Sequence, residues 1–277
     1  MACCGMISAR SAVPERFADS VRMDEVIVTG SRPAVNFRNL PMSVSVVEER
    51  QIERRFEPSL LPVLTEQVPG LFITGRGVMG YGVAAGAAGG MKIRGVGGEP
   101  TSGVLVLIDG HPQYMGLMGH PLADSYQSMN AERVEVVRGP ASILYGSNAM
   151  GGVVNIITKK GQADGVYNMA RLMYGSFNTL NVEVSNAVRK GKFNSFAALN
   201  YSHTDGHRKD MGFGGWGGYL KLGYDFTAHW KAFADVNLNH FAASNPGSVT
   251  APLIDNDALI TRGMTSFSLD NRYERTS

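Results

Sequence analysis

Residues 134–160 read VEVVRGPASILYGSNAMGGVVNIITKK. Two apolar, β-branched runs, Val134–Val137 and Val153–Thr158, bracket a small-residue segment. That segment holds one arginine, Arg138, a Leu144-Tyr145 pair, and glycines at 139, 146, 151 and 152. Branched side chains fit a pleated, half-buried surface, so each run is expected to be a strand. The glycines permit tight turns and close backbone approach between the strands. The pattern predicts a stiff sheet with a permissive connection and a single charge at the end of its first strand.

Upstream of this stretch, short apolar runs mix with helix-like segments. Val26–Thr29, Ser43–Val47, Gly70–Thr74, Met91–Ile93 and Val104–Ile108 read as strands. Ser59–Gln67 reads as a short helix ended by Pro69-Gly70, and Leu122–Met129 as a second. Together these describe a small α+β domain.

Past Lys159-Lys160-Gly161 the segments lengthen and alternate. Leu180, Val182, Val184 and Val188 share one face, with Asn181, Glu183, Ser185 and Arg189 on the other. Phe193, Ala197, Leu199 and Tyr201 oppose Asn194, Asn200 and Ser202. Leu220, Leu222, Tyr224 and Phe226 oppose Lys221 and Asp225, and Ala234, Val236 and Leu238 oppose Asp235, Asn237 and Asn239. Period-two alternation over roughly nine to eleven residues is the signature of a transmembrane β-strand. The connections Arg189–Lys192 and Thr227–His229 are tight, whereas Thr204–Gly218 and Ala243–Gly263 are expected to be long loops. Short turns at one rim and long loops at the other fit an outer-membrane barrel. A soluble antiparallel sandwich with one wet face shares the same alternation.

Composition narrows the choice. Lys and Arg number 26 against 24 Asp and Glu, a net charge of +2, with no basic stripe, so a nucleic-acid partner is not expected. The 34 glycines among 277 residues exceed ordinary usage of about 7% and point to turns, bulges and close contacts. Cys3 and Cys4 are adjacent and unsuited to bridging one another, so neither a disulfide framework nor a thiolate metal site is expected. No run approaches the roughly 20 apolar residues of a spanning helix. Arg10, Pro14, Glu15 and Arg16 interrupt the first 22 residues, so no signal peptide is visible.

With the opening stretch in place, the order of features resembles the TonB-dependent outer-membrane receptor family. Ala131–Lys159 is similar to the family's plug-domain ending, and "DEVIVTGSR" (24–32), "VPGLFI" (68–73), Ile93-Arg94-Gly95 and "VLIDG" (106–110) follow the family's order. The resemblance implies an α+β plug domain followed by antiparallel transmembrane β-barrel strands, here an incomplete barrel. The expected division is an atypical N-terminal segment (1–23), a TonB-box-like segment (24–32), the plug (33–160) and the N-terminal part of the barrel (161–277). It implies location in the outer membrane of a Gram-negative bacterium and energy-coupled uptake of a scarce nutrient, foremost an iron–siderophore. Cobalamin, haem or a copper chelate is an alternative cargo, and a stand-alone ligand-binding plug is an alternative of another class.

Residue roles follow from the same resemblance. Asp24, Glu25, Val26, Ile27, Val28 and Thr29 are expected to add as a strand to TonB, the inner-membrane energy transducer. Arg94 and Arg138 are expected to latch the plug by pairing with carboxylates on later barrel strands, because a buried guanidinium needs a partner. Tyr145 is expected to fill space against the wall. Met79, Tyr81, His111, Tyr114, Met115, Met118 and His120, on two outward plug loops, are the candidates for contact with a metal chelate or corrinoid. Direct metal ligation, a resident cofactor and catalytic residues are not expected. Outer-membrane lipid is the remaining partner.

One rival enzyme pattern is present. Gly75-x-Gly77-x-x-Gly80 follows the apolar run Leu71–Thr74, and Glu99 lies beyond it. A dinucleotide site also needs a helix opening at the third glycine to meet the pyrophosphate. The "YGVAAGAAGG" that follows is too glycine-rich for one, each glycine costing about 1 kcal/mol in a helix interior. Finally, plugged transporters use about 22 strands, while only five or six strand candidates follow residue 160. An open sheet leaves edges that hydrocarbon does not tolerate, so the chain is expected to be a fragment or truncated gene product.

Overall fold

The two runs of the opening stretch are neighbouring strands of one sheet. The computed structural model describes residues 7–10, 26–27, 35–36, 43–75, 77–82, 88–98, 101–114, 121–253 and 256–271. Their first part contains β1 (Ile7–Arg10), β2 (Val26–Ile27), β3 (Val35–Asn36), β4 (Ser43–Glu48), α1 (Glu49–Glu53), α2 (Leu60–Gln67) and β5 (Leu71–Ile73). Next come β6 (Met91–Ile93), β7 (Val96–Gly97), β8 (Val104–Ile108), β9 (His111–Pro112), β10 (Ala131–Arg138), α3 (Ser142–Tyr145) and β11 (Gly152–Thr158). The plug sheet has the order β4-β10-β11-β8-β9. β11 runs antiparallel to β10 and parallel to β8, so both its edges are paired, and with Val154 and Ile156 in one core cluster and Val153 in the other it reads as a nearly unbroken apolar run.

The larger core lies on the α2 side of this sheet. Leu60, Leu61, Val63 and Leu64 pack there with Val106, Val134, Val136, Val154 and Ile156. Ser59 starts α2 by accepting the Leu61 N–H at 3.3 Å, and Gly70 with φ +80° turns the chain out just past its end. The other face gathers Leu105, Leu107, Val137, Ala141, Ala149 and Val153. Tyr145 is half-buried against this second cluster and fills space within the plug.

Leu122–Met129, expected as a helix, is instead two single 3-10 turns, Ala123–Ser125 and Ser128–Asn130. The backbone between them is diverted to the entrance of α2. Leu60 N–H donates to the Tyr126 carbonyl at 2.9 Å, and Ser128 N–H donates to the Pro58 carbonyl at 2.9 Å.

Six long strands follow: β12 (Gly165–Gly175), β13 (Thr179–Lys190), β14 (Phe193–Thr204), β15 (Phe213–Asp225), β16 (Trp230–Ser244) and β17 (Asp257–Asn271). Each pairs antiparallel with the next, and β1 pairs with the free edge of β12, giving an open seven-stranded sheet. The alternation has the expected sense. Val184, Leu199, Leu220, Leu222, Val236, Leu238, Phe267 and Leu269 are exposed on the outer face. Tyr174, Tyr201 and Trp216 line that face near one rim, and Phe193, Tyr224 and Trp230 near the other. Trp216 to Tyr224 is about 26 Å of strand at roughly 3.3 Å per residue, the scale of a bilayer's apolar band.

Both long loops are shorter than expected, spanning 205–212 and 245–256. The glycine cluster at 214–218 belongs to β15 because larger neighbours fill its places. A Cβ on Gly215 would lie 2.9 Å from Phe241 Cβ, and one on Gly217 would lie 2.4 Å from Asn200 Oδ1. Composition alone suggested a loop, and cross-strand fit made it a strand.

Two glycines of the opening stretch make a test. A Cβ on Gly152 would sit 2.2 Å from the Val137 carbonyl oxygen and 2.8 Å from Ile93 Cδ1, whereas one on Gly139, with φ +122°, meets nothing within 4 Å. Gly152→Ala is expected to destabilise the plug by about 3 kcal/mol and Gly139→Ala by about 1 kcal/mol. Urea midpoints compare them, and equal losses would contradict the close approach of β10 and β11.

Candidate functional site

The seam between the plug sheet and the inner face of the wall is where the two parts of the chain meet chemically. Its centre is built on a turn. Asp109 (φ +47°) and Gly110 (φ +83°) form the two-residue connection between β8 and β9, a geometry that favours Asp-Gly. The turn places the Asp109 carboxylate against the end of β11. Thr158, at the end of β11, donates its N–H to Oδ1 at 3.0 Å and its hydroxyl to Oδ2 at 2.5 Å.

The wall supplies the positive charge. Lys221 Nζ of β15 lies 2.8 Å from Asp109 Oδ2 and 2.8 Å from Thr158 Oγ1, and both charged side chains are less than a tenth exposed. Tyr219 OH is 3.0 Å from Thr158 Oγ1. Since the Thr158 hydroxyl hydrogen is committed to Asp109, Tyr219 is the donor there. The Lys221 ammonium also stands 4.4 Å from the centre of the Phe233 ring, a cation–π distance. In so dry a seam the ion pair is held by neighbouring hydrogen bonds as much as by charge.

Further contacts run along the seam from this node. His111 Nε2 is 2.8 Å from Ser268 Oγ, and its ring meets Phe233 edge-on at 6.5 Å. Arg262 donates to Gln113 Oε1 at 2.8 Å, and Gln113 Nε2 lies 3.1 Å from Met264 Sδ. Met129 of the plug packs with Phe196, Ala198 and Tyr219 of the wall. On β12 and β13, the Arg171 guanidinium lies 5.5 Å over the Phe56 ring and pairs with buried Glu183 at 3.1 Å.

The residues expected to be functional are distributed unevenly on this frame. Arg138 donates from Nη1 to the Pro69 carbonyl at 3.1 Å, while its buried Nε has no hydrogen-bond partner among the described residues. Arg94 is exposed at a left-handed turn position between β6 and β7. Among the described residues neither arginine is paired with a wall carboxylate. Met79 packs beside Phe213 and Phe241 under the long-loop rim, and Tyr114 is exposed. Tyr81 is buried, and burial pushes its phenol up to about 12 against the pull of a hydrogen bond from Ser59. His111 is spent on the wall contact. Met115, Met118 and His120 lie outside the described residues, as do Asp24, Glu25, Val28 and Thr29; Val26–Ile27 pairs with Val35–Asn36.

Several residues of the site were not singled out from sequence. Asp124 accepts the N–H groups of Tyr81 at 2.9 Å and Gly82 at 2.8 Å, tying down one candidate ligand loop. Asp109 and Lys221 carried signals, an Asp-Gly turn and an inward lysine between Leu220 and Leu222, but nothing in the sequence joined them. Among the described residues no group of three or more His, Cys, Asp or Glu is gathered to hold a metal ion.

Comparison with known proteins identifies the first part of the chain. Residues 36–153 match the TonB-dependent Receptor Plug Domain. Residues 36–153 are thus a plug domain of this kind, and the antiparallel strands that follow resemble the barrel of such receptors. The chain is 35% identical over 167 residues to the "Iron-regulated outer membrane virulence protein" of Vibrio cholerae serotype O1, covering 57% of this chain and 23% of that protein. It thus spans about a quarter of the length of that relative. In fold it resembles Pseudomonas aeruginosa FpvA bound to heterologous pyoverdines, with TM-score 0.68 and 15% identity over 90% of this chain and 34% of that one. It also resembles the alcaligin outer-membrane receptor of Bordetella pertussis, with TM-score 0.62 and 19% identity over 80% and 36%.

The plug–wall ion pair gives a quantitative expectation. Lys221→Met leaves a dry carboxylate and is expected to lower the unfolding free energy in detergent by about 3 kcal/mol. Adding Asp109→Asn is expected to restore about 1 kcal/mol or more. Urea titration of the four species of the cycle measures the coupling, and strictly additive losses would show that the two groups do not interact.

Proposed function

We propose that this chain is the plug and first wall strands of an outer-membrane receptor that takes up an iron–siderophore, with energy delivered by TonB. The observation that carries the reading is the 35% identity to an iron-regulated outer-membrane protein. Solved receptors for pyoverdine and alcaligin share the fold, which supports the class of cargo without selecting a member of it. The outward apolar band with aromatic residues near both rims supports placement in the outer membrane.

In this reading each part has one task. Asp24–Thr29 engages TonB as an added strand, where main-chain hydrogen bonds tolerate a pull along the chain. The plug fills the lumen, and the Asp109–Thr158–Lys221 node keeps it seated while no ligand is bound. Arg94 and Arg138 latch the faces that β12–β17 do not cover. Met79, Tyr81, His111 and Tyr114, with Met115, Met118 and His120, form or support the outward loops that meet the chelate. The reaction is transport, and no residue is assigned a catalytic role.

The test is uptake by cells whose sole receptor of this class is the product of this gene. Radiolabelled ferric siderophores are expected to accumulate only in a strain with intact TonB. Ile27→Pro, which removes a main-chain donor from the added strand, is expected to cut accumulation at least tenfold while surface binding changes less than twofold. Accumulation of cobalamin or haem instead would move the cargo to another class. Unchanged iron accumulation after deletion of the gene would overturn the reading.

A further inference from the structure

Lys221 and Asp235 are directly opposed residues of β15 and β16. Both point inward and are buried, 6% and 2% exposed. Opposite charges so placed across a sheet ordinarily attract and pair. Here Lys221 reaches instead to the plug, with Nζ 2.8 Å from Asp109 Oδ2. Asp235 keeps one contact, the Ser266 hydroxyl donating to its Oδ1, and its buried Oδ2 has no hydrogen-bond partner among the described residues.

Two carboxylates therefore compete for one ammonium, and each has a hydroxyl donor on its own side of the seam. Asp109 keeps Thr158 when the plug moves, because both belong to the plug. Asp235 keeps Ser266, because both belong to the wall. Only the lysine is shared. We propose that Asp235 is the standby partner of Lys221: as the plug leaves its seat, the ammonium passes from Asp109 to Asp235. The wall then never presents an unpaired cation, and the seated and displaced arrangements each contain one ion pair and one hydroxyl-capped carboxylate. An exchange of this kind makes the seat bistable rather than permanent, since breaking one pair forms the other. The proposal rests on the uptake reading only in supposing that the plug is displaced.

The two aspartates should then act with opposite sign. Nitroxide labels at Arg54 of the plug and Thr265 on the outer wall, in a chain whose Cys3 and Cys4 are serine, report the plug–wall distance in detergent by pulsed electron resonance. At a urea concentration where the plug is half displaced, Asp235→Asn is expected to raise the ratio of seated to displaced plug at least fivefold. Asp109→Asn is expected to lower it at least fivefold. In a Lys221→Met background, or Lys221→Gln if the methionine variant does not fold, both responses should shrink below twofold. A ratio that falls or stays unchanged with Asp235→Asn overturns the exchange. A rise that survives loss of the lysine also overturns it, because it would reflect only desolvation of Asp235 by the plug. The assay contains neither ligand nor TonB, so its failure leaves the uptake reading standing, and a receptor for another cargo would give the same result.

Discussion

A carboxylate carried into a dry seam must find its partners there, and the Asp109 side chain organises the meeting of plug and wall around that requirement. Stripping water from a charge costs several kcal/mol unless other groups replace it. Thr158 supplies two donors from within the plug, and Lys221 supplies the countercharge from the wall. The node thereby fixes where β8 and β11 stand against β15. The contacts at His111, Gln113 and Met129 extend the seam on either side of it.

Much of the fold was legible because its signals are local. Branched runs gave the plug strands, Ser59 and Pro69-Gly70 bounded α2, and period-two alternation set the outward face of β13 to β16. The failures came where tertiary partners overrode local preference. Leu122–Met129 has helical composition, yet its backbone is drawn to Pro58 and Leu60 and cannot close a second turn. Gly214–Gly218 reads as a loop, yet Phe241 and Asn200 occupy the space its side chains would need.

The site was harder to read for the same reason. Asp109 and Lys221 are separated by more than a hundred residues, and each has an adequate local explanation: one belongs to a turn and one to a strand's polar face. Pairing them needs the register of β15 against the plug, which no periodicity contains. Arg94 and Arg138 were singled out only through the family resemblance of the segments that hold them. Asp124 was inconspicuous because its work is to hold the backbone of Tyr81 and Gly82, and that leaves no mark in spacing.

The glycines of β15 have a mechanical meaning. On its inner face this strand offers hydrogen atoms at 215, 217 and 223, with the amides of Asn200 and Asn194 lying across two of those places. Tyr219 and Lys221 rise between them, and both touch the same threonine of the plug. The strand therefore grips the plug at two places, Tyr219 and Lys221 on Thr158 and, at its far end, Phe213 beside Met79. Between these two places β15 presents low relief, so resistance to sliding is concentrated at two fasteners instead of being spread along the strand.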